Sequence, residues 1–267
     1  MPMSLESRAK LITFDVCERS GGSGEFVDAC SEAFLAHGAV ILNRVFSPDY
    51  LGDVNRAYQE GYGNIIDASR EVGDRRTMIA IDVKPPFSDP ALFAPDPVMP
   101  VLRRLLGGSC ILDAYVAVTS RPDSTDQHVH VDFPFLFDED EPLSQSLPPY
   151  AITLAIPLVP LDAMTGVTRV WPGTHRRSID WKAAQPDLMD SLSIIPKPGG
   201  CYLFDARLLH GGTANYSQIE RPILYLVYCR AWWRDSTNFF RQKPLIIGPE
   251  SLAALPSDLQ PMFRYAC

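Results

Sequence analysis

Residues 110–133 read CILDAYVAVTSRPDSTDQHVHVDF. Cys110 to Ser120 is an apolar run rich in β-branched residues. Pro122, Asp123 and Ser124 break it, and a second run spans Gln127 to Phe133. Both runs read as strands bounded by turn residues. No segment with a 3.6-residue period lies between them, so a crossover helix and a parallel pair are disfavoured. The pattern continues toward the C-terminus. YAITLAIPLVPL (150–161), GCYLFDA (200–206) and RPILYLVYCRAWW (221–233) also read as strands, separated by Gly, Pro, Asp and Ser clusters. This half of the chain predicts an antiparallel sandwich or barrel. FDEDEPLSQSLPPY (137–150) is acidic and proline-rich, and reads as a surface loop or mobile lid.

The first hundred residues alternate between elements. LITFDV (11–16), AVILNRVF (39–46) and RTMIAIDV (76–83) read as strands. EFVDACSEAFLAHG (25–38) reads as a helix with Phe26, Cys30, Phe34 and His37 on one face and Gly38 as its stop. Ser47-Pro48-Asp49 starts a second helix, with Ser as N-cap and Pro in the first turn. DPVMPVLRRLLGG (96–108) is a third helix, ended by glycine. There is no repeat and no low-complexity linker. The expectation is one domain over 1–267, with helical support mostly in 20–108 and jelly-roll strands mostly in 109–235.

Composition narrows the function classes. Hydrophobic residues make up 46% of the 267 residues, which is ordinary for a globular protein. The formal net charge of −8, without basic runs, argues against nucleic acid and against an anionic membrane as partners. It also weighs against a polyanionic substrate such as a coenzyme A thioester. The six cysteines, at 17, 30, 110, 201, 229 and 267, show no C-x-x-C spacing, and several lie in apolar segments. Reduced thiols and a cytoplasmic compartment are expected. MPMSLESRAK lacks the apolar region of a signal peptide. The most apolar run, 151–161, is too short and too proline-rich to span a bilayer.

In an extended chain, residues two apart share a face. His128, His130 and Asp132 can therefore project together, and one imidazole with one carboxylate two places apart can chelate one ion. A third ligand must come from elsewhere. His37 is explained as a helix-end residue and His175 sits among turn residues. His210 follows an apolar strand and precedes Gly211-Gly212, so it can face inward. Two histidines and one carboxylate form a facial triad of the kind used by non-haem Fe(II) oxygenases, in which three positions stay open for a keto acid and dioxygen. The far carboxylate of such a keto acid needs a planar, bidentate cation, and Arg221 follows at the start of the next strand. A cupin-like site built on the His128-x-His130 pair is the rival arrangement. It wants a glutamate shortly afterwards, where this chain has Phe133, Pro134 and Phe135.

These segments resemble the phytanoyl-CoA dioxygenase family of Fe(II)/2-oxoglutarate-dependent oxygenases over nearly the whole chain. HGAVILNRVFSPDYL is similar to the family's N-terminal strand and helix. QHVHVD is similar to its Q-x-x-H-x-D motif. TGVTRVWPGTHR is similar to its N-G-x-T-x-x-x-P-G-S-H segment, with Thr165 and Thr174 where Asn and Ser are commoner. HGGTANYSQIERP carries its distal His and Arg, and RAWWRDSTNFF resembles microbial members that act on secondary metabolites. The resemblance implies a mainly β fold, a double-stranded β-helix (cupin-like jelly roll) with flanking N-terminal helices. It implies iron ligation by His130, Asp132 and His210, and 2-oxoglutarate binding by Arg221, Gln127 and Thr168. His128 is then a neighbour of the iron site rather than a ligand. Met78, Phe133, Phe135 and Trp232 are candidate substrate contacts, although core packing explains each of them, and Trp233, as well.

The expected activity is oxidation of an unactivated C–H bond in a small, largely apolar natural-product intermediate, using Fe(II), 2-oxoglutarate and O2. Hydroxylation is the default outcome. Desaturation, epoxidation and endoperoxidation use the same ligands, whereas halogenation needs a small residue where Asp132 stands. The alternatives are a hydroxylase of an acyl-CoA or carrier-bound thioester and a catalytically silent jelly-roll binding protein. A monomer or homodimer is expected.

Overall fold

The structure is a computed structural model, and it describes residues 9–10, 12–16, 23–63, 70–133, 135–137, 142–177, 191–235 and 244–267. In chain order the first elements are β1 (Thr13–Asp15), α1 (Gly24–His37), β2 (Ala39–Asn43), α2 (Pro48–Tyr62), β3 (Arg70–Glu71), β4 (Arg76–Ala80), α3 (Pro90–Phe93) and α4 (Met99–Leu106). Then come β5 (Ile111–Ser120), α5 (Pro142–Ser146), β6 (Ala151–Pro157), β7 (Thr168–Val170), β8 (Leu192–Ile194), β9 (Cys201–Asp205), β10 (His210–Gly212), β11 (Arg221–Cys229) and α6 (Pro249–Ala254).

The strands form two sheets. The larger runs β1-β2-β9-β6-β11-β5-β4-β3 and the smaller β10-β7-β8. All pairs are antiparallel except β1 with β2. This is the jelly-roll fold, with helices on the outer face of the large sheet. β11 shows how one strand serves both faces. Leu224, Leu226 and Tyr228 pack into the outer core with α1, α2 and α4. Ile223, Tyr225 and Val227 turn inward, toward the small sheet.

The helices follow their sequence signals. Ser23 Oγ accepts the Phe26 N–H at 3.3 Å and Ser47 Oγ accepts the Tyr50 N–H at 3.1 Å, each satisfying an otherwise orphaned helix donor. Gly38 ends α1 at φ 82°. A Cβ there would lie 2.6 Å from His175 Nδ1, so both backbone conformation and close packing require glycine. His175 is thereby spent on packing: it is buried, with Nε2 3.2 Å from Leu35 O.

Several expected boundaries are shorter. The strand expected over 39–46 ends at Asn43, because Arg44 adopts φ 61° and Val45 and Phe46 instead donate to Gly199 O. The strand expected over 76–83 ends at Ala80, with Val83 bridging to Ile247. The larger correction concerns 127–133. This stretch forms no ladder: it makes one isolated bridge, His130 with His210, and donates to Gly212 O from Gln127 and to Ala206 O from Asp132 and Phe133. The segment expected as a loop over 137–150 contains α5, while 138–141 lie outside the described residues. Cys30, Cys110, Cys201 and Cys229 are buried free thiols, and Cys267 is an exposed one. No helix among the described residues is long and apolar enough to cross a membrane.

Candidate metal centre

His130 and His210 face each other across the antiparallel bridge between the 124–130 segment and β10, and their backbones exchange two hydrogen bonds of 2.9 Å. In such a pair the two side chains lie on the same face. The rings are 4.3 Å apart between centroids. Asp132, two residues on, joins them: its Oδ1 is 3.5 Å from His210 Nε2 and 3.9 Å from His130 Nε2. One ligand atom from each of the three lies within 4.8 Å of the others, and no other such metal-ligating group occurs among the described residues.

Both imidazoles are oriented in the same way. His130 Nδ1 lies 2.9 Å from His128 O and His210 Nδ1 lies 2.9 Å from Leu208 O. A carbonyl can only accept, so each Nδ1 carries the proton and each Nε2 presents its lone pair to the shared space. Burial, then the neighbouring His210, pulls the His130 pKa down to about 3, which keeps that ring neutral. Burial raises the Asp132 pKa, opposed by His210. Two imidazoles presenting Nε2 and a carboxylate disfavoured as a bare charge form a donor set completed by a cation.

The neighbouring elements hold these ligands. β7 pairs with β10, placing His210 opposite Val170. The Thr174 hydroxyl donates to Trp171 O at 2.7 Å and accepts the Leu209 N–H at 3.0 Å, next to His210. Ala206 O accepts the N–H of both Asp132 and Phe133 at 3.0 Å.

The cluster opens on a cavity of about 390 Å³ between the two sheets. His128, Gln127, Thr168, Met78 and Phe133 line it; Phe135 and Trp232 do not. Trp232 is 68% exposed. β11 ends at Cys229, and a turn closed by the Trp233 N–H to Arg230 O bond breaks the alternation there. Trp233 packs instead on Phe133 and Tyr150, at centroid distances of 4.7 and 5.0 Å. Gln127 is held by Val72 O and the Gly212 N–H, each at 3.1 Å, and the Thr168 hydroxyl lies 2.7 Å from the Tyr202 hydroxyl.

Arg221 is buried behind Gly212, whose added Cβ would be 3.3 Å from its Nη2. Beside it, Arg76 is 1% exposed. The two guanidiniums share one acceptor: Ser120 Oγ takes Arg76 Nε at 2.9 Å and Arg221 Nη2 at 2.6 Å. Arg76 also donates to Thr125 O at 2.5 Å and Thr213 O at 2.7 Å. Neither forms an ion pair among the described residues, and Arg221 Nε is buried with no hydrogen-bond partner. Burial, then Arg221, pulls the Arg76 pKa down to about 10. Two buried like charges without a carboxylate call for an anion.

Residues 34–223 match the protein family described as phytanoyl-CoA dioxygenase. The chain belongs to that family. Phytanoyl-CoA dioxygenase relatives are Fe(II)/2-oxoglutarate-dependent oxygenases, and the site fits both groups: a two-His, one-Asp donor set for the metal and an orphaned, buried guanidinium nitrogen for a dicarboxylate. Among curated relatives, the dioxygenase FrzG of Cladobotryum sp is 31% identical over 114 residues, which is 41% of this chain and 37% of that protein. The chain thus matches little more than a third of that relative's length. Among solved structures, SnoN, a non-haem alpha-ketoglutarate-dependent epimerase from nogalamycin biosynthesis, superposes with a TM-score of 0.62 at 17% identity, covering 80% of this chain and 85% of SnoN. HygX from Streptomyces hygroscopicus with nickel and 2-oxoglutarate gives 0.56 at 17%, covering 76% and 87%. HygX with hygromycin B also bound gives 0.57 at 15% with the same coverage. At these identities the three structures report the shared fold.

No motif marks Arg76, Ser120, Asp113, Arg234 or Asp235. Arg76 carried no local signal, since only the β4–β5 pairing, with Arg76 opposite Ser120, brings it to Arg221. Asp113 lies where the β5–β11 register shifts, so it and Ala114 both line the cavity. Its carboxylate accepts Arg234 Nε at 3.1 Å and the Asp235 N–H at 3.2 Å.

Proposed function

We propose that this protein is an Fe(II)/2-oxoglutarate-dependent oxygenase that oxidises an unactivated C–H bond of a small natural-product intermediate, with hydroxylation as the default outcome. The observation that carries this reading is one cavity wall bearing three convergent ligand atoms and, behind it, two buried arginines that have no carboxylate partner among the described residues. His130, Asp132 and His210 would hold the iron through Nε2, a carboxylate oxygen and Nε2. Arg221, with Arg76 beside it, would take the far carboxylate of 2-oxoglutarate, supplying the missing partner for Arg221 Nε. Thr168 and Gln127 would flank that co-substrate. When bound, iron supplies the redox chemistry that couples 2-oxoglutarate decarboxylation to dioxygen activation. The protein's own work is to hold both imidazoles as Nδ1–H tautomers and to place the substrate carbon next to the metal.

A cavity of about 390 Å³ suits a small ligand. A coenzyme A thioester would leave most of its bulk outside, where the chain's net charge of −8 offers it no attraction. The walls also refine the expected substrate. Met78, Val116, Val118 and Val227 form an apolar stretch. Asp113, Arg234 and Asp235 lie at the other end of β5 from Ser120 and the arginines. A molecule with an apolar body and one hydrogen-bonding group fits better than a wholly apolar one. The structural neighbours are in keeping with a natural-product substrate: SnoN is from nogalamycin biosynthesis, and HygX is solved with hygromycin B bound.

The deciding experiment is succinate release from 2-oxoglutarate with Fe(II) and ascorbate, screened against a panel of small natural-product intermediates. Stimulated turnover that vanishes in His210→Ala supports the reading. Absence of both basal turnover and metal binding in the intact protein would favour a silent binding protein.

A further inference from the structure

The turn between β9 and β10 carries a buried ion pair that the metal chemistry above does not use. Asp205 and Arg207 are joined by two parallel bonds, Nε to Oδ1 at 2.9 Å and Nη2 to Oδ2 at 2.8 Å. Their side chains are 1% and 2% exposed. Asp205 Oδ1 also accepts the Arg207 backbone N–H at 2.9 Å, and Asp205 O accepts the Leu208 N–H at 2.8 Å. Four interactions therefore lock one short turn.

That turn meets the metal cluster twice. Ala206 O, flanked by the two paired residues, accepts the backbone N–H groups of Asp132 and Phe133. Leu208 O accepts His210 Nδ1–H and so fixes which nitrogen faces the cavity. The backbone that carries one ligand and the tautomer of another thus depend on two carbonyls of the same turn. Arg207 reaches further: Nη1 donates to Leu147 O at 3.1 Å, just after α5, and the guanidinium lies 5.3 Å from the Tyr150 ring centre.

Burying an ion pair is a poor way to gain stability, because apolar residues of similar size commonly do as well. Groups behind a metal site, by contrast, set the orientation of its ligands. We propose that the Asp205–Arg207 pair is a positioning device for the metal centre. It holds Ala206 O and Leu208 O where they aim Asp132 and His210, and it fastens the end of the α5 segment to the same turn. This rests on the reading of His130, Asp132 and His210 as metal ligands.

The test is an anaerobic Co(II) titration of the full chain, reading affinity and the visible d–d bands, which report ligand geometry. The double variant Asp205→Asn/Arg207→Met removes both charges together and strands neither. Arg207→Lys keeps the charge and loses the fork. Leu102→Ala, in the outer core on α4, serves as a variant that lowers stability elsewhere. Leu102→Ala should match the wild type in affinity and spectrum below its melting temperature. The double variant should bind Co(II) about 10- to 100-fold more weakly, with shifted bands, and Arg207→Lys should fall between. Wild-type affinity and bands in both pair variants would overturn the proposal. If the double variant does not fold, Arg207→Lys decides by the same two readouts. Failure of the wild type to bind Co(II), or unchanged binding in His210→Ala, would instead overturn the ligand assignment, and this inference with it.

Discussion

Two residues of the candidate site, His130 and Arg221, each have a neighbour of the same type placed for a different job. His128 and His130 are both histidines facing the cavity, with ring centroids 5.2 Å apart. His128 supports its neighbour through its backbone carbonyl, which alanine retains. His130→Ala should therefore abolish metal binding and turnover, whereas His128→Ala should keep the metal and lose only part of the activity; iron stoichiometry and succinate release separate the two. Arg221 and Arg76 form the second such pair. Arg76 is held by three protein acceptors, while Arg221 keeps one nitrogen unpaired. Charge-assisted bonds contribute about 1.5–3 kcal/mol each, and ~3 kcal/mol corresponds to roughly a hundredfold in affinity. Arg221→Ala should raise the apparent 2-oxoglutarate constant by about that factor with metal binding unchanged, and Arg221→Lys should lie between. A normal constant in Arg221→Ala would move the co-substrate role to Arg76.

Short elements, not long ones, shape the site. The turn before β7 is built by Asp162, whose Oδ1 accepts the N–H groups of Met164 at 2.8 Å and Thr165 at 2.7 Å. Thr165 closes it by donating to Pro160 O at 3.1 Å, so threonine serves here where the family motif commonly has asparagine. Gly166 then passes at φ 81° between the Ala214 carbonyl and Arg221. A Cβ would fall 2.6 Å from Arg221 Nη1 and closer still to Ala214 O. Alanine there should cost more than 1 kcal/mol of stability, from both the left-handed backbone and the clash. It should also displace Arg221. The expected outcome for Gly166→Ala is a lower melting temperature together with a weakened 2-oxoglutarate constant and normal metal affinity. Loss of stability with an unchanged constant would show that the turn does not press on Arg221.

At the scale of the whole molecule, burial of histidine links the site to stability. In the metal-free protein His130 is held neutral, with its pKa near 3, and burial lowers the His175 pKa as well. Unfolded, both take up protons below a pH of about 6.5. The unfolded chain then binds more protons than the folded one, so stability falls as the pH drops below about 6.5. For His130 the loss at pH 5.5 is about 1.4 kcal/mol relative to neutral pH, and His175 acts in the same direction. Asp132 acts oppositely, since a raised carboxylate pKa relieves a penalty as pH falls. Urea unfolding of the metal-free protein at pH 7.5 and 5.5 measures the sum, and His130→Ala should shrink the difference by about 1.4 kcal/mol. An undiminished difference in that variant would mean that His130 titrates normally in the folded state.

What the sequence settled by itself was whatever depends on local pattern. The capping Ser47 before α2, the glycine stop of α1, the apolar runs of β5, β6, β9 and β11, and the H-x-D spacing are read within a few residues, because turn chemistry and side-chain alternation are short-range. The distal histidine and Arg221 were legible because each sits at a strand boundary marked by Gly-Gly or by a preceding turn. Pairing and parity needed the folded chain. Whether 127–133 forms a ladder depends on what lies opposite it, and there it meets the short β10 and the turn before it. Whether Trp232 or Trp233 faces inward depends on where β11 ends. That Arg76 lies against Arg221 follows from strands far apart in the chain sharing a sheet, and that the Asp205–Arg207 turn meets Asp132 follows from the 130–133 stretch lying against the β9–β10 connection. No local composition encodes that adjacency, because it is set by the packing that buries both faces of the large sheet.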